Sequence, residues 1–251
     1  MLKGLGQHAE IRADEFVPGA FVLSVGGADQ SQVNLADPGN IFYEYLRRIA
    51  NLLDLFRPAG EPIKVLHLGA GALTLARYLA VSRPGSEQFA VELERELLDF
   101  VLEQLPMPDG SKLRTLIGDA RWALPELAAD GPFDAIVLDI FSGPAAPEHI
   151  AHRDFYREAA ALLAPEGMLL INIGDEPGLT LVRSQSRALR SLLPATILTG
   201  ESSMFSSRYP GNLILAASKR ESWPVSWTEG LLAAGPHPCR VVEGVELDEF
   251  S

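Results

Sequence analysis

The spacing of apolar residues changes near residue 40. Before it, short apolar stretches are separated by Pro18-Gly19 and Gly26-Gly27, which are typical turn sequences of β-hairpins. From Asn40 onward the apolar positions recur with helical spacing until Arg57-Pro58 ends the run. We therefore predict a small N-terminal β unit over residues 1–38, followed by one amphipathic helix.

After this helix, apolar runs of strand length alternate with helical stretches. The pattern predicts strands at 63–68, 88–91, 113–117, 133–138 and 168–173, and helices at 73–81, 95–105, 121–128, 154–163 and 179–193. Such alternation requires right-handed crossovers between parallel strands, with helices on both faces of the sheet. Two last strands, 195–198 and 212–217, have no helix between them and predict an antiparallel pair at the sheet edge. We expect an α/β core over residues 39–219 and a surface-packed tail over residues 220–251.

Composition agrees with one such domain and bears on the cellular compartment of the protein. The chain has 251 residues, of which 47% are hydrophobic, enough for a sizeable core. No stretch approaches the roughly 18 consecutive apolar residues that cross a bilayer, and residues 1–7 are too short for a secretory signal. The single Cys239 excludes an internal disulfide and a cysteine-based metal site. We therefore expect a cytoplasmic protein that does not contact membranes.

Acidic residues outnumber basic ones. With 33 Asp and Glu against 21 Lys and Arg, the formal net charge is −12. Such a field repels the phosphate backbone of nucleic acids and attracts cations. Nucleic acid is thus disfavoured as a partner, and the acidity fits either solubility alone or a cationic substrate.

A glycine turn follows the first strand of the predicted core. Gly69 and Gly71 stand where the strand passes into a helix, in the run Leu68-Gly69-Ala70-Gly71. Glycines there allow the backbone to approach a ligand closely, and the helix N-terminus offers free N–H groups. Thr74 replaces the third glycine of the dinucleotide-binding pattern, so the turn fits either a cofactor loop or a tight βα turn with no ligand.

Acidic residues follow the next two strands at the same sheet edge. Glu92 ends the second strand, where a carboxylate can accept both hydroxyl protons of a ribose. Asp119 and Ala120 follow the third strand and offer a carboxylate and a backbone N–H, which suit the amine and ring nitrogen of adenine. Each acid could instead cap a helix. Because they converge at the edge where open α/β sheets bind ligands, we interpret them as a nucleoside site; an NAD-type dehydrogenase would share only the glycine turn and Glu92.

The fourth strand ends at Asp139, which we expect to project into the same crevice. Residues 140–153 then form a long stretch rich in glycine, proline and alanine, typical of a loop over a substrate site. His149 and His152 lie three residues apart within it, and without a clustered third ligand they do not predict a metal site. We expect no metal.

Several further segments form a series of recognisable motifs. Those in the middle of the chain are Asp134 to Asp139, Gly143-Pro144-Ala145, Asp154-Phe155-Tyr156 and Leu163 to Gly167, and those nearer its ends are Gln30-Ser31, Phe42 to Leu46, and Tyr209 to Asn212. The middle segments resemble the D-x-x-D-P, G-P-A, acidic-Phe-Tyr and L-x-P-x-G pattern of the spermidine synthase family, the polyamine aminopropyltransferases, and the others resemble its Q-S, Y-H-E-x-L and Y-P-x-G stretches. The resemblance spans about residues 26–219.

This resemblance implies a class I S-adenosylmethionine-dependent methyltransferase-like fold (Rossmann-like) after a small β domain, usually in a homodimer or a larger assembly. It implies transfer of an aminopropyl group from decarboxylated S-adenosylmethionine to a diamine such as putrescine, as part of polyamine biosynthesis. By family position Glu92 would hold the ribose and Asp119 the adenine, and the residues around the propylamine and the diamine would be Gln30, Tyr43, Glu44, Asp139, Asp175 and Tyr209. Asp139 would be the catalytic residue.

The chain departs from the family at charged positions. Ala72 replaces the Asp of the family's G-G-G-D-G-G, Ser142 replaces the second Asp of D-x-x-D, and Tyr43 replaces the His of Y-H-E. Loss of the first two carboxylates weakens the case for a dicationic substrate. Ordinary S-adenosylmethionine with methyl transfer, and a non-catalytic nucleoside-binding paralogue, therefore remain alternatives.

Overall fold

A computed structural model describes residues 2, 4, 6–140 and 147–250, which form two sheets with helices. The strands are β1 (Ala9–Ala13), β2 (Ala20–Val25), β3 (Ala28–Asn34), β4 (Lys64–Leu68), β5 (Glu87–Glu92), β6 (Lys112–Ile117), β7 (Phe133–Leu138), β8 (Leu163–Asp175), β9 (Ala195–Glu201), β10 (Gly211–Ser218) and β11 (Cys239–Glu243). The helices are α1 (Glu44–Phe56), α2 (Thr74–Ser82), α3 (Arg95–Gln104), α4 (Ala120–Leu127), α5 (Arg153–Ala161), α6 (Thr180–Arg190), α7 (Val225–Ala234) and α8 (Gly244–Phe250), and a 3-10 helix spans Ser202–Ser206.

The larger sheet confirms the predicted α/β core. Its strand order is β11-β9-β10-β8-β7-β4-β5-β6, and the five strands from β8 to β6 in that order are parallel. β10 runs antiparallel to both β8 and β9. The first core strand, β4, lies in the middle, with β5 on one side and β7 on the other. Ligands bind open α/β sheets at such a switch point, outside the carboxyl ends of the strands.

Alternate residues of the central strands pack into two separate apolar layers, one on each face of the sheet. Val65 and Val137 pack on the face covered by α1, α2 and α7. Leu66 and Leu138 pack on the opposite face with residues of α4, α5 and α6. Burial on both faces explains why these strands read as nearly continuous apolar runs.

The N-terminal sheet, in the order β1-β2-β3, is antiparallel and packs over α3. Leu23 and Val33 form an apolar cluster there with Leu97 and Val101, and this cluster also contains Ala72 of the glycine turn. The hydroxyl of Thr74 donates to the carbonyl of Gln32 at 3.3 Å. The β unit therefore lies directly over the turn after β4.

The segment after residue 219 differs from the expected surface tail. β11 pairs antiparallel with β9 and forms the edge of the main sheet, so one more strand extends the antiparallel pair that we expected there. Trp223 and Trp227 are buried, and the ring of Trp227 packs against Phe56 of α1. Prolines at 236 and 238 obscured this strand because proline interrupts sheet hydrogen bonding.

Among the described residues, helices long and apolar enough to cross a membrane are absent.

Candidate functional site

A cavity of about 600 Å³ opens at the carboxyl ends of β4, β5, β6 and β7, under the N-terminal sheet. It brings together seven of the residues proposed from the sequence: Gln30, Gly69, Gly71, Glu92, Asp119, Ala120 and Asp139. Apolar side chains form much of the rest of the cavity wall. A concave, mostly apolar pocket with a few convergent polar groups is the usual form of a small-molecule site.

The turn after β4 passes very close to the end of β7. Gly69 has φ of +93°, and a Cβ atom added there would lie 2.2 Å from the carbonyl oxygen of Asp139. Its N–H donates to the carbonyl of Val91 at 3.0 Å. Leu73, at the start of α2, also has a positive φ of 58°, which is rare for a bulky residue. The turn is thus held in one shape by its neighbours on both sides.

A buried arginine supports this turn from behind. Arg77 of α2 is 1% exposed and donates to the carbonyl oxygens of Ala72, Leu105 and Pro106 at 3.0, 2.5 and 2.6 Å. Burial lowers the pKa of Arg77 to about 10, so it remains charged at neutral pH. Because three carbonyls share the charge, Arg77 ties the turn to the end of α3 without needing a carboxylate.

Glu92 joins the turn to the end of β5. Its Oε2 accepts from the backbone N–H of Ala70 at 3.1 Å, and its Oε1 accepts from that of Glu94 at 3.0 Å. Each carboxylate oxygen has two lone pairs, so each retains one acceptor position. The side chain is therefore fixed in place and can still accept two hydroxyl protons, as a ribose requires.

Asp119 begins α4 and also contacts a histidine. Its Oδ1 accepts from the backbone N–H groups of Arg121 and Trp122 at 2.9 and 3.3 Å, and its Oδ2 lies 2.7 Å from Nε2 of His149. Partial burial acts to raise the pKa of Asp119, but the hydrogen bonds from His149 and the two N–H groups outweigh it and lower the pKa. The alternative of helix capping is thus correct for one oxygen, while the residue also lines the cavity.

Asp139 carries a carboxylate whose charge is poorly hydrated. Removal from water raises its pKa, although hydrogen bonds from Asn172 and Tyr45 partly oppose this effect. Nδ2 of Asn172 donates to Oδ1 of Asp139 at 2.9 Å. Burial, together with the nearby Asp139, raises the pKa of Tyr45, so the phenol stays protonated as a donor. A carboxyl with a raised pKa in a cavity is a candidate for proton transfer.

Four residues proposed from the family positions do not lie on the described cavity wall. Glu44 is exposed and pairs with Arg48, and the carboxylate of Asp175 accepts from the N–H of Val182 at the start of α6. Tyr43 packs its ring against Phe42 and Tyr45, and Tyr209 is 56% exposed. Ser142 and the Gly143-Pro144-Ala145 motif lie outside the described residues.

The structure adds two residues that sequence reasoning did not place in the site. Tyr45 fits the helical apolar spacing of α1, which predicted a core residue, yet it lines the cavity and contacts Asp139. His149 belongs to no motif, and from the sequence it raised only the question of a metal; it contacts the site through Asp119. Within the described part of the chain, groups of three or more potential metal ligands are absent.

Comparisons with known proteins agree with the fold and the predicted resemblance. The polyamine aminopropyltransferase of Vibrio vulnificus is 32% identical over 134 residues, which cover 53% of this chain and 44% of that protein. The probable spermidine synthase of Corynebacterium glutamicum superposes with a TM-score of 0.86 at 25% identity, covering 98% of this chain and 90% of that one. Human methyltransferase-like protein 13, in complex with SAH, superposes with a TM-score of 0.62 at 20% identity over 77% of this chain and 90% of that one.

No family model matches the chain. The chain spans about half the length of the curated relatives that it matches. Its similarity to the spermidine synthases, in sequence and in fold, is confirmed, as is the Rossmann-like, methyltransferase-like architecture behind a small β unit.

Proposed function

We propose that the cavity binds a sulfonium nucleoside of the S-adenosylmethionine type and that the protein transfers an aminopropyl group from it to an amine. The observation that carries this proposal is the convergence of the glycine turn, Glu92, Asp119 and Asp139 on one cavity at the carboxyl ends of adjacent strands. The named relatives are an aminopropyltransferase and a probable spermidine synthase, and a neighbour of the same fold holds SAH.

In this proposal the nucleoside lies along the strand ends. Glu92 accepts the two ribose hydroxyl protons with its two free acceptor positions. Asp119 accepts from the amino group of adenine, and the backbone N–H of Ala120 donates to a ring nitrogen. Gly69 and Gly71 allow the backbone to approach the ligand, and Gln30 closes the cavity from the N-terminal sheet.

The chemical step needs little covalent help from the protein. The amine nitrogen attacks the carbon beside the sulfonium, the C–S bond breaks with its electrons moving to sulfur, and methylthioadenosine leaves. The amine must attack as a neutral group and lose one proton. In this proposal Asp139 is the cavity carboxylate at the reacting end, where it orients the amine and accepts that proton. The cavity aligns the two reactants.

Methyl transfer from ordinary S-adenosylmethionine is the second candidate, because Ala72 occupies the family's acidic position. Ala72 is 1% exposed and packs among Leu23, Val33 and Leu97. The site therefore lacks at that point a carboxylate that would attract the aminopropyl ammonium or repel the carboxyl group of methionine. Titration calorimetry with S-adenosylmethionine, its decarboxylated form and methylthioadenosine on one preparation measures which of these ligands the cavity accepts.

Glu92→Ala should weaken methylthioadenosine binding at least about tenfold, because a carboxylate that accepts two ribose hydroxyl groups is lost. Isothermal titration calorimetry measures the change in Kd. The matched control is Glu87→Ala, which removes an exposed carboxylate at the other end of the same strand and should leave Kd unchanged. Equal binding by wild type and Glu92→Ala would show that the ribose is not held here.

The cavity should discriminate weakly between the two sulfonium ligands. With Ala72 in an apolar cluster, we expect Kd values for decarboxylated and ordinary S-adenosylmethionine to differ by less than about a hundredfold, or about 2.7 kcal/mol. Competition against methylthioadenosine measures both. A larger preference for the decarboxylated ligand would mean that another acid has taken the role of the missing one.

A further inference from the structure

Asp119 has one acceptor position left for a ligand. A carboxylate offers about four lone-pair positions. The N–H groups of Arg121 and Trp122 use those of Oδ1, and His149 uses one of Oδ2. Since an ionised carboxylate can only accept, Nε2 of His149 must carry the proton in this contact. The remaining position on Oδ2 can accept a single N–H donor.

The backbone around His149 is fixed independently of this contact. Nη1 of Arg121 donates to the carbonyl oxygen of His149 at 3.1 Å, and the same guanidinium binds both carboxylate oxygens of Glu158 at 2.9 and 2.7 Å. Pro147 and Ile150, on either side of His149, line the cavity, whereas His149 itself is not on its wall. The histidine therefore reaches the cavity through Asp119.

From this geometry we infer that His149 is a positioning residue that sets the purine specificity of the cavity. It holds Oδ2 of Asp119 so that its free lone pair faces the 6-amino group of an adenine base. A 6-oxo purine presents an acceptor oxygen at that position, and this oxygen and the carboxylate oxygen repel each other. This inference rests on the proposed nucleoside site and adds to it the residue that orients its base-reading carboxylate.

The test compares a 6-amino and a 6-oxo ligand on four proteins by isothermal titration calorimetry. The ligands are methylthioadenosine and methylthioinosine, and the proteins are wild type, His149→Ala, His149→Gln and His152→Gln. Glutamine at 149 keeps an N–H donor of similar reach. His152 is the matched control because it lies three residues away, where its ring contacts the start of α5.

We expect His149→Ala to weaken methylthioadenosine about tenfold, the scale of one hydrogen bond to a charged group, and methylthioinosine by less than about threefold. The ratio of the two affinities should therefore shrink. His149→Gln should recover most of the ratio, and His152→Gln should retain it fully. Thermal unfolding of the ligand-free proteins checks that each variant is folded.

Two results would overturn the inference while leaving the nucleoside site intact. One is equal weakening of both ligands by His149→Ala, which a purely structural contact would give. The other is a His149→Gln variant with the same ratio as His149→Ala, since the N–H donor would then be irrelevant. If wild type binds neither purine, the proposed nucleoside site is wrong and the role of His149 falls with it.

Discussion

Gly69→Ala should destabilise the protein by about 3 kcal/mol or more, the range seen when strain and steric overlap coincide. The new Cβ would lie 2.2 Å from the carbonyl oxygen of Asp139 and 2.9 Å from its carbonyl carbon, at a φ of +93° that side chains rarely adopt. Both obstacles are backbone atoms, so the end of β4 or of β7 must move. Thermal unfolding should show a fall in Tm of about 6–12 °C for a domain of this size, and methylthioadenosine binding should weaken at least about tenfold.

Gly118→Ala is the matched control for stability. Gly118 follows β6 at the same sheet edge, and a Cβ there meets no heavy atom within 4 Å. Its free energy of unfolding should change by no more than about 0.5 kcal/mol. If Gly69→Ala unfolds at the same temperature as Gly118→Ala, then the close approach of the turn to β7 is not a constraint on this fold.

The sequence predicted the central fold well because two simple physical signals coincide there. Strands buried on both faces, such as β4 and β7, give apolar runs, and amphipathic helices between them give a different period. The alternation of strands and helices also predicted right-handed crossovers within a largely parallel sheet. The edge strand β11 was missed because its five residues adjoin two prolines, and short edge strands carry little hydrophobic pattern.

The candidate site likewise has a part that the sequence predicted and a part that it did not. Gly69, Glu92, Asp119 and Asp139 were predictable because each lies within two residues of the end of a predicted strand, and parallel strands end at one edge. Tyr45 and His149 were not, since their contacts with Asp139 and Asp119 join elements far apart in the chain. Spacing along a sequence reports local periodicity and contains no information about such tertiary contacts. Their roles became visible only from hydrogen bonds.

Asp139→Asn should lower the rate of spermidine formation from putrescine about a hundredfold, the usual contribution of a positioned general base. The amide can still accept a hydrogen bond from Asn172 or Tyr45, but it cannot take the proton of the amine. Asp134→Asn is the control, because Asp134 stands at the start of the same strand and should leave the rate unchanged. Product is measured with decarboxylated S-adenosylmethionine as donor across a pH series.

The pH profile gives the sharper test, because two effects with different origins should appear in it. The rate should rise toward alkaline pH as the free-amine fraction of the diamine grows, and it should fall at acidic pH as Asp139 becomes protonated. Since burial raises the pKa of Asp139, this acidic limb should lie above the range of an ordinary aspartate. Tyr45→Phe removes a donor that favours the carboxylate form, so the limb should move to still higher pH. Asp139→Asn should lose the limb while retaining the alkaline rise.

Full activity of Asp139→Asn at neutral pH would contradict the mechanism, whereas absence of product from every variant, with methylthioadenosine still bound, would favour methyl transfer or a non-catalytic nucleoside-binding role.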